Sequence, residues 1–562
     1  MQKTKLGFET GCVKNSKHSR LLITVLWIAV IGLLPRMASA QFTWATNAGD
    51  IIIESYTTNS PGALTIPATI TGLPVTEIQL VNSPNVTSIT LGTNVITIDG
   101  EAFSGCTSLT NVIFDANLQS IGSFAFYGCP LISVSLGTNV NNIGLSAFQD
   151  CIQLTNLTVN PANPYYASLV GVLFDKNLTT LVEYPHGRTG NYIMTNRITT
   201  IQGYAFAYTA GLTGIVLDTN LVNIGNDAFY LCSSLTNFAI PTNVTTIGYD
   251  TFAACSSLTS ITIPNNVTSL GVDAFTSCTK LTNAVIGSGV ANIGPGTVPF
   301  DGCTSLTAIT VNAGNPALSS PGGVLYNHNQ TVILEYPPGK AAGSYVISNT
   351  VTDIGDFSFA DCANLTGITI PNGVTNIGAF AFASCNLGTV SVPNNVRVLG
   401  DGVFEFNHNL TNAVIGSGLT SMGSSEFYYC ENNTQSLNNV LFMGNAPGAG
   451  SSNFDGDNFT TYIYYLPNTT GWTSAFAGVP TALWTLPYPV ILTHQGLGVQ
   501  TNRFNFTIAW ATNLSVVVQA CTNLSNQQWL PVQTNSLTNG LWNFSDAKWT
   551  NSKARFYRVY HL

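Results

Sequence analysis

Residues 256–278 read SSLTSITIPNNVTSLGVDAFTSC. Leu258, Ile261 and Ile263 are spaced as a short strand with one buried face. Pro264-Asn265-Asn266 turns the chain. Val267 and Leu270 then point inward again, and Gly271 opens a second turn that leads to Ala274, Phe275 and Cys278. A unit of 23 residues cannot bury its own apolar side. A copy behind it and a copy ahead can, and the same position of each coil then forms a column through a shared core.

Those copies are present. Cys106, Cys129 and Cys151 are 23 and 22 residues apart, Cys232, Cys255 and Cys278 are 23 apart, and Cys362 and Cys385 are again 23 apart. Each stands three positions after a phenylalanine, in F-x-x-C beginning at Phe103, Phe126, Phe148, Phe229, Phe252, Phe275, Phe300, Phe359, Phe382 and Phe427. Thr209 follows Phe206 and Asn407 follows Phe404 in the same register, so the thiol is not obligatory. Twelve cysteines in an exported chain would suggest a disulfide framework. Column spacing instead predicts buried thiols packed along a stack. The phrase C-x-x-L-T-x-I-x-I-P-x-x-V-T-x-I-G-x-x-A-F-x-x-C, clear from Cys232 to Cys278 and from Cys362 to Cys385, resembles the BspA-like leucine-rich repeats of bacterial surface and secreted proteins. The resemblance implies a curved solenoid, mainly β with short turns or helical segments, and binding or adhesion rather than catalysis.

Composition agrees with a packed column. Of 562 residues only 8% are charged, against about 25% in an ordinary soluble domain. A net charge of −9 and the lack of a basic run exclude a nucleic-acid binder. Residues 1–40 read as a signal peptide: Lys3, Lys5, Lys14, Lys17 and Arg20 precede the apolar stretch Leu21 to Leu34, and Ala38-Ser39-Ala40 offers a cleavage site before Gln41. Fourteen apolar residues fall short of the ~20 that span a bilayer. The expected location is secreted or cell-surface, with no transmembrane segment after cleavage.

The expected organisation is a signal peptide at 1–40, an irregular N-terminal cap at 41–75 and a repeat solenoid at 76–439. A C-terminal cap follows at 440–488, and a small antiparallel sandwich-like β module at 489–562. The F-x-x-C register ends at Cys430. The module reads from alternating Phe504, Phe506, Ile508 and Trp510 and from the closing Arg555-Phe556-Tyr557-Arg558. Its weak likeness to C-terminal modules of exported bacterial proteins implies attachment or export.

Two insertions interrupt the repeat near 159–200 and 311–352, and they match each other at an offset of 152. Asn163-Pro164, Gly171-Val172-Leu173, Glu183-Tyr184-Pro185 and Gly187-Arg188 recur as Asn315-Pro316, Gly323-Val324-Leu325, Glu335-Tyr336-Pro337 and Gly339-Lys340. Alternation within them predicts a hairpin extending one face. Rare side chains gather here, and Tyr184, His186, Arg188, Tyr336 and Lys340 are the candidate ligand contacts, since aromatics beside a fixed cation can grip a protein or a glycan. The competing reading is packing at the edge of an elaborated coil. His186 corresponds to Pro338, which argues against a shared catalytic role.

The strand position facing outward carries Ile113, Ser135, Thr158, Val216, Ala239, Thr262, Val285, Thr310, Thr369, Ser391 and Val414, with no charge or aromatic ring. Recognition is therefore expected at loops, insertions or ends. No hydrolase, Walker, zinc or dinucleotide motif is present. Asp455-Gly456-Asp457-Asn458 reads as a turn rather than a calcium site. The sequence thus points to a non-enzymatic exported interaction or adhesion protein without metal or cofactor. The alternatives are a polysaccharide-binding accessory using the aromatic islands and a structural cell-surface component.

Overall fold

A computed structural model describes residues 41–561 apart from 57–60, 80, 82, 195–196, 292, 294–297, 341–342, 431–436, 438, 456–461, 485–489, 493–496, 501–502, 510–514, 525–527, 538–540 and 552–553. The expected signal peptide, Trp510 and most of the Asp455–Asn458 turn lie outside these residues.

The coils contribute short strands to two separate parallel ladders, the first of them interrupted at residues 235–241, which form no strand. In the first, Ser260–Ile263, Asn283–Ile286 and Ala308–Val311 pair in register, which puts Ile261 beside Ala284 and Ala284 beside Ile309. The strand alternates, with Ile261 and Ile263 buried and Ser260 and Thr262 exposed. The second ladder uses two residues per coil from the T-x-I-G phrase: Thr97–Ile98 pairs with Ser120–Ile121, and that with Asn142–Ile143. A side chain at Gly271 would fall into the backbone of Gly248 and Tyr249 in the preceding coil, so glycine permits the close stacking.

The third side of each coil is the A-F-x-x-C turn. Of the short turns or helical segments expected, turns form there, and the described helices are two single 3₁₀ turns at Pro321–Gly323 and Trp549–Asn551. The reason is local: Asp250 and Ala254, or Asp273 and Ser277, bracket the phenylalanine with positive φ of 50–59°, a left-handed conformation that ends a right-handed helix. Bonds between coils hold the turns instead, such as Phe252 N–H to Ala274 O at 2.8 Å.

The phenylalanines form stacks with ring centroids 4.8–5.8 Å apart. There are three such stacks, Phe103 to Phe148, Tyr184 to Phe300 and Tyr336 to Phe454, lying in three buried clusters. All eleven cysteines among the described residues are buried, and none is in a disulfide. Eight of the thiols donate to the phenylalanine carbonyl of the preceding coil, as from Cys255 Sγ to Phe229 O at 3.2 Å and from Cys278 Sγ to Phe252 O at 3.2 Å, while Cys106 donates to Val81 O, Cys362 to Tyr336 O and Cys521, in the C-terminal module, to Asn523 O. Asn407 replaces a cysteine and makes the same bond, Nδ2 to Phe382 O at 2.7 Å. Thr209, the other replacement, makes no such bond among the described residues, and burial pushes the Cys255 thiol up so that it stays protonated.

The ends are more regular than expected. Asp50–Tyr56 pairs in parallel with Leu73–Ile78, and Gly62–Thr65 with Val86–Thr90, so the region expected to be irregular already carries both ladders. At the other end the register does not stop at Cys430: Phe454 stacks on Phe427 at 5.5 Å. The wide ladder runs on through Asn439–Phe442, Ile463–Tyr465 and Val479–Leu483. Beyond it, two antiparallel sheets form the sandwich. Arg503–Ala509 pairs with Leu541–Asp546 in one, and Ser515–Cys521 pairs with Phe556–His561 in the other. Phe506, Ile508, Val516, Val518 and Phe544 join the two in one core.

Candidate functional site

Each insertion is a three-stranded meander that ends by joining the narrow ladder. In the first, Tyr166–Leu169 pairs antiparallel with Val172–Asp175, which pairs with Thr180–Glu183, and that strand lies parallel to Thr200–Ile201. The second repeats this with Leu318–Ser319, Leu325–Asn327, Val332–Glu335 and Asp353–Ile354.

The residues recurring at the 152-residue offset fasten these meanders to the coil before them. Asn163 is fully buried; its Nδ2 donates to Gly137 O and Val140 O, both at 2.8 Å, and its Oδ1 accepts from the N–H groups of Tyr165 and Tyr166. Asn315 does the same with Gly287 O, Val290 O, Ala317 and Leu318. Ser168 and Ser320 accept from Val159 and Val311 N–H at 3.0 and 2.8 Å. Asp175 and Asn327 each accept the two N–H groups that restart the chain after the turn. The asparagine was visible as part of the recurring Asn-Pro phrase. The serine and Asp/Asn pairs carried no local signal beyond the offset itself.

The candidate contacts divide. Tyr184 and Tyr336, at 3% and 1% exposure, are members of the phenylalanine stack. Tyr184 lies on Phe206 at 4.8 Å and Tyr336 on Phe359 at 5.0 Å. Tyr192 and Tyr345 meet them edge-on at 4.9 and 4.8 Å. As candidate ligand contacts these two tyrosines are therefore corrected: the rings occupy the core position that phenylalanine holds elsewhere, because each meander closes as one more coil. His186 is also buried, with Nε2 3.0 Å from Glu183 Oε1.

Arg188 and Lys340 stay at the surface as clamps on the meander tip. Arg188 Nε donates to Thr155 O at 2.8 Å and a second guanidinium N–H donates to Val170 O. Lys340 Nζ donates to Gly322 O at 2.8 Å, the counterpart of Val170. At the first insertion this leaves an open cleft of about 660 Å³, where the edge of Tyr184, Tyr192 and Arg188 meet the exposed Val170 and Ile193. The Arg188 guanidinium lies 5.8 Å from the Tyr184 ring centre. Burial pushes the Tyr192 hydroxyl up to about 12, so the cleft offers neutral phenols and one cation.

The acids of the two insertions differ. Burial pushes the Glu183 carboxyl up, and His186 draws it partly back. Glu335 Oε1 accepts from Phe300 N–H at 3.0 Å, while Oε2 has no partner among the described residues. Burial pushes Glu335 well above the usual carboxylate range, with Cys303 and Asp301 adding to the effect. Asp301 itself is pushed up to about 7 by burial and by Asp361 and Asp273. No group of three or more metal-ligating side chains suited to a metal ion occurs among the described residues. None of their helices is long and apolar enough to cross a membrane.

The family described as BspA type leucine rich repeat region matches residues 79–178, 189–320 and 340–460, in 6 copies. No curated protein matches the chain. A leucine rich cell surface protein from Faecalibacterium prausnitzii is 24% identical, with 49% of this chain and 94% of that one covered and a TM-score of 0.37. The pneumococcal vaccine antigen PcpA is 16% identical over 77% of this chain and 93% of its own, with a TM-score of 0.33. A leucine-rich repeat protein from Bacteroides ovatus is 20% identical over 76% and 99%, with a TM-score of 0.32.

Proposed function

Because this chain belongs to the BspA-type leucine-rich repeat family, we propose that it is a non-enzymatic exported protein that presents its solenoid for interaction or adhesion at a cell surface. The family supports a protein-interaction or surface role. The observation that carries the finer reading is the inward use of the insertions' chemistry. Glu183 and His186, an acid and a base 3.0 Å apart, sit at 5% and 3% exposure, out of reach of a substrate. What faces solvent instead is the cleft of Tyr192, Arg188, Val170 and Ile193, a mixed apolar and cationic surface of the kind that anchors a partner. Val170 and Ile193 are 79% and 62% exposed.

In this reading residues 1–40 are removed on export and residues 489–562 attach or sort the chain. The partner is a protein or glycan at a cell surface. The test is binding of the full mature chain to a panel of extracellular proteins, glycans and intact cells, beside a Val170→Asp/Ile193→Asp variant. Specific binding that the variant weakens, with N-terminal sequencing that starts at Gln41 in chain recovered outside the cell, is the expected result. No binding across the panel, or retention of residues 1–40 inside the cell, overturns it.

A further inference from the structure

The outward face of the wide ladder changes character at its C-terminal end. Along most of its length that face carries small or β-branched residues such as Thr262, Thr369 and Ser391. Parallel register then sets Val414 beside Leu441 and Leu441 beside Tyr464. Trp484 follows the last strand, its N–H bonded to Tyr465 O at 3.0 Å. Leu441, at 7% exposure, forms the floor, with Val414, Tyr464 and Trp484 packed around it. Asn412 and Asn439 are partners in the same register, and their amides touch, Nδ2 of Asn439 to Oδ1 of Asn412 at 2.8 Å. With Ala413 these residues enclose a groove of about 370 Å³, and none of them is charged.

We propose that this groove is a binding site for a neutral sugar ring of a surface or matrix polysaccharide. The proposal rests on the interaction reading above and names the ligand class for a second place on the solenoid. A pyranose has an apolar C–H face and a rim of hydroxyls. Tyr464 and Trp484 offer two partly buried rings that line the groove for the first, and the two asparagine amides offer both donors and acceptors for the second. The volume fits a small ligand rather than a macromolecular surface. A protein partner would need roughly 800 Å² per side with anchors through it, and the neighbouring outward positions Ser391 and Thr369 supply neither ring nor charge. An acidic sugar finds no cation in the lining, and a basic peptide no carboxylate.

The test is affinity electrophoresis of the full mature chain in gels cast with neutral glucan, mannan, xylan or galactan, against polygalacturonate. Retardation by at least one neutral polysaccharide is expected. It should weaken about ten-fold or more in Trp484→Ala and Tyr464→Ala, return in part in Trp484→Phe, and persist in Tyr192→Ala at the first insertion. Thermal unfolding of each variant is measured in parallel. If Trp484→Ala unfolds, Asn439→Ala takes its place, since the Asn439 side chain is exposed. Retardation by no neutral polysaccharide, retention by polygalacturonate alone, or retardation that ignores both the ring and the amide variants overturns the proposal. A chain that still binds proteins or cells in that case loses the sugar groove and keeps the interaction reading.

Discussion

The two insertions share a plan down to individual hydrogen bonds and differ at one buried charge. Glu183 faces His186 at 3.0 Å; Glu335 faces a backbone N–H and a set of other acids, because Pro338 stands where His186 does. Everything that closes the meander is duplicated: the buried asparagine, the serine, the stacked tyrosine and the clamping cation. The histidine is not. Recurrence therefore marks what the fold needs, and the variable position marks where charge compensation was left open.

The most disruptive way to probe the comparison is to remove the shared ring. Tyr184→Ala and Tyr336→Ala should each cost about 4 kcal/mol in urea or thermal unfolding, the range for deleting a buried aromatic. A near-zero loss in either would mean that its ring projects from the coil. Next, His186→Pro makes the first insertion resemble the second. It should cost about 3 kcal/mol at neutral pH, since it leaves a buried acid without the side chain that faces it. The cost should shrink at acid pH, where Glu183 takes up a proton.

Glu335→Gln runs the other way. A carboxyl whose folded-state pKa is raised contributes stability that is fully present below its unfolded value near 4 and is lost as pH rises through the folded value. Asp301, at about 7, and Glu335 both behave so, which places the loss between about pH 4 and 7 or above. The glutamine should therefore stabilise the chain at pH 8 and flatten the fall in melting temperature between pH 5 and 8. Glu183→Gln should gain less, because His186 already offsets part of its burial. Equal gains would mean that His186 does not compensate Glu183. The smallest effect is at the clamps. Arg188→Ala breaks bonds to two carbonyls and Lys340→Ala a bond to one, so losses of about 1 kcal/mol or less are expected, larger for Arg188.

The groove at the end of the wide ladder shows a similar limit. The outward position reads as filler from Ile113 to Val414, yet two coils later it holds Tyr464 beside a buried Leu441. Asp457 stands where a cysteine would follow Phe454, so the F-x-x-C motif ends at Cys430, although the ring still stacks on Phe427. Backbone pairing across coils, rather than the motif, carries the repeat to Val479–Leu483.

The sequence by itself determined the coil. Alternation within four-residue strands, a glycine where coils approach and a 23-residue period decide which side chains face inward, and those are local properties of spacing and size. Only the tertiary structure decided what the rare residues do. Asn163 bonds to carbonyls 23 and 26 residues back, and Arg188 reaches Thr155 from 33 residues on. In sequence Tyr184 is a candidate contact, because an aromatic ring beside a fixed cation can grip a partner. It is buried because closure of the meander places it over Phe206. Such contacts depend on where the chain returns after one full turn, and spacing within a segment does not encode that return.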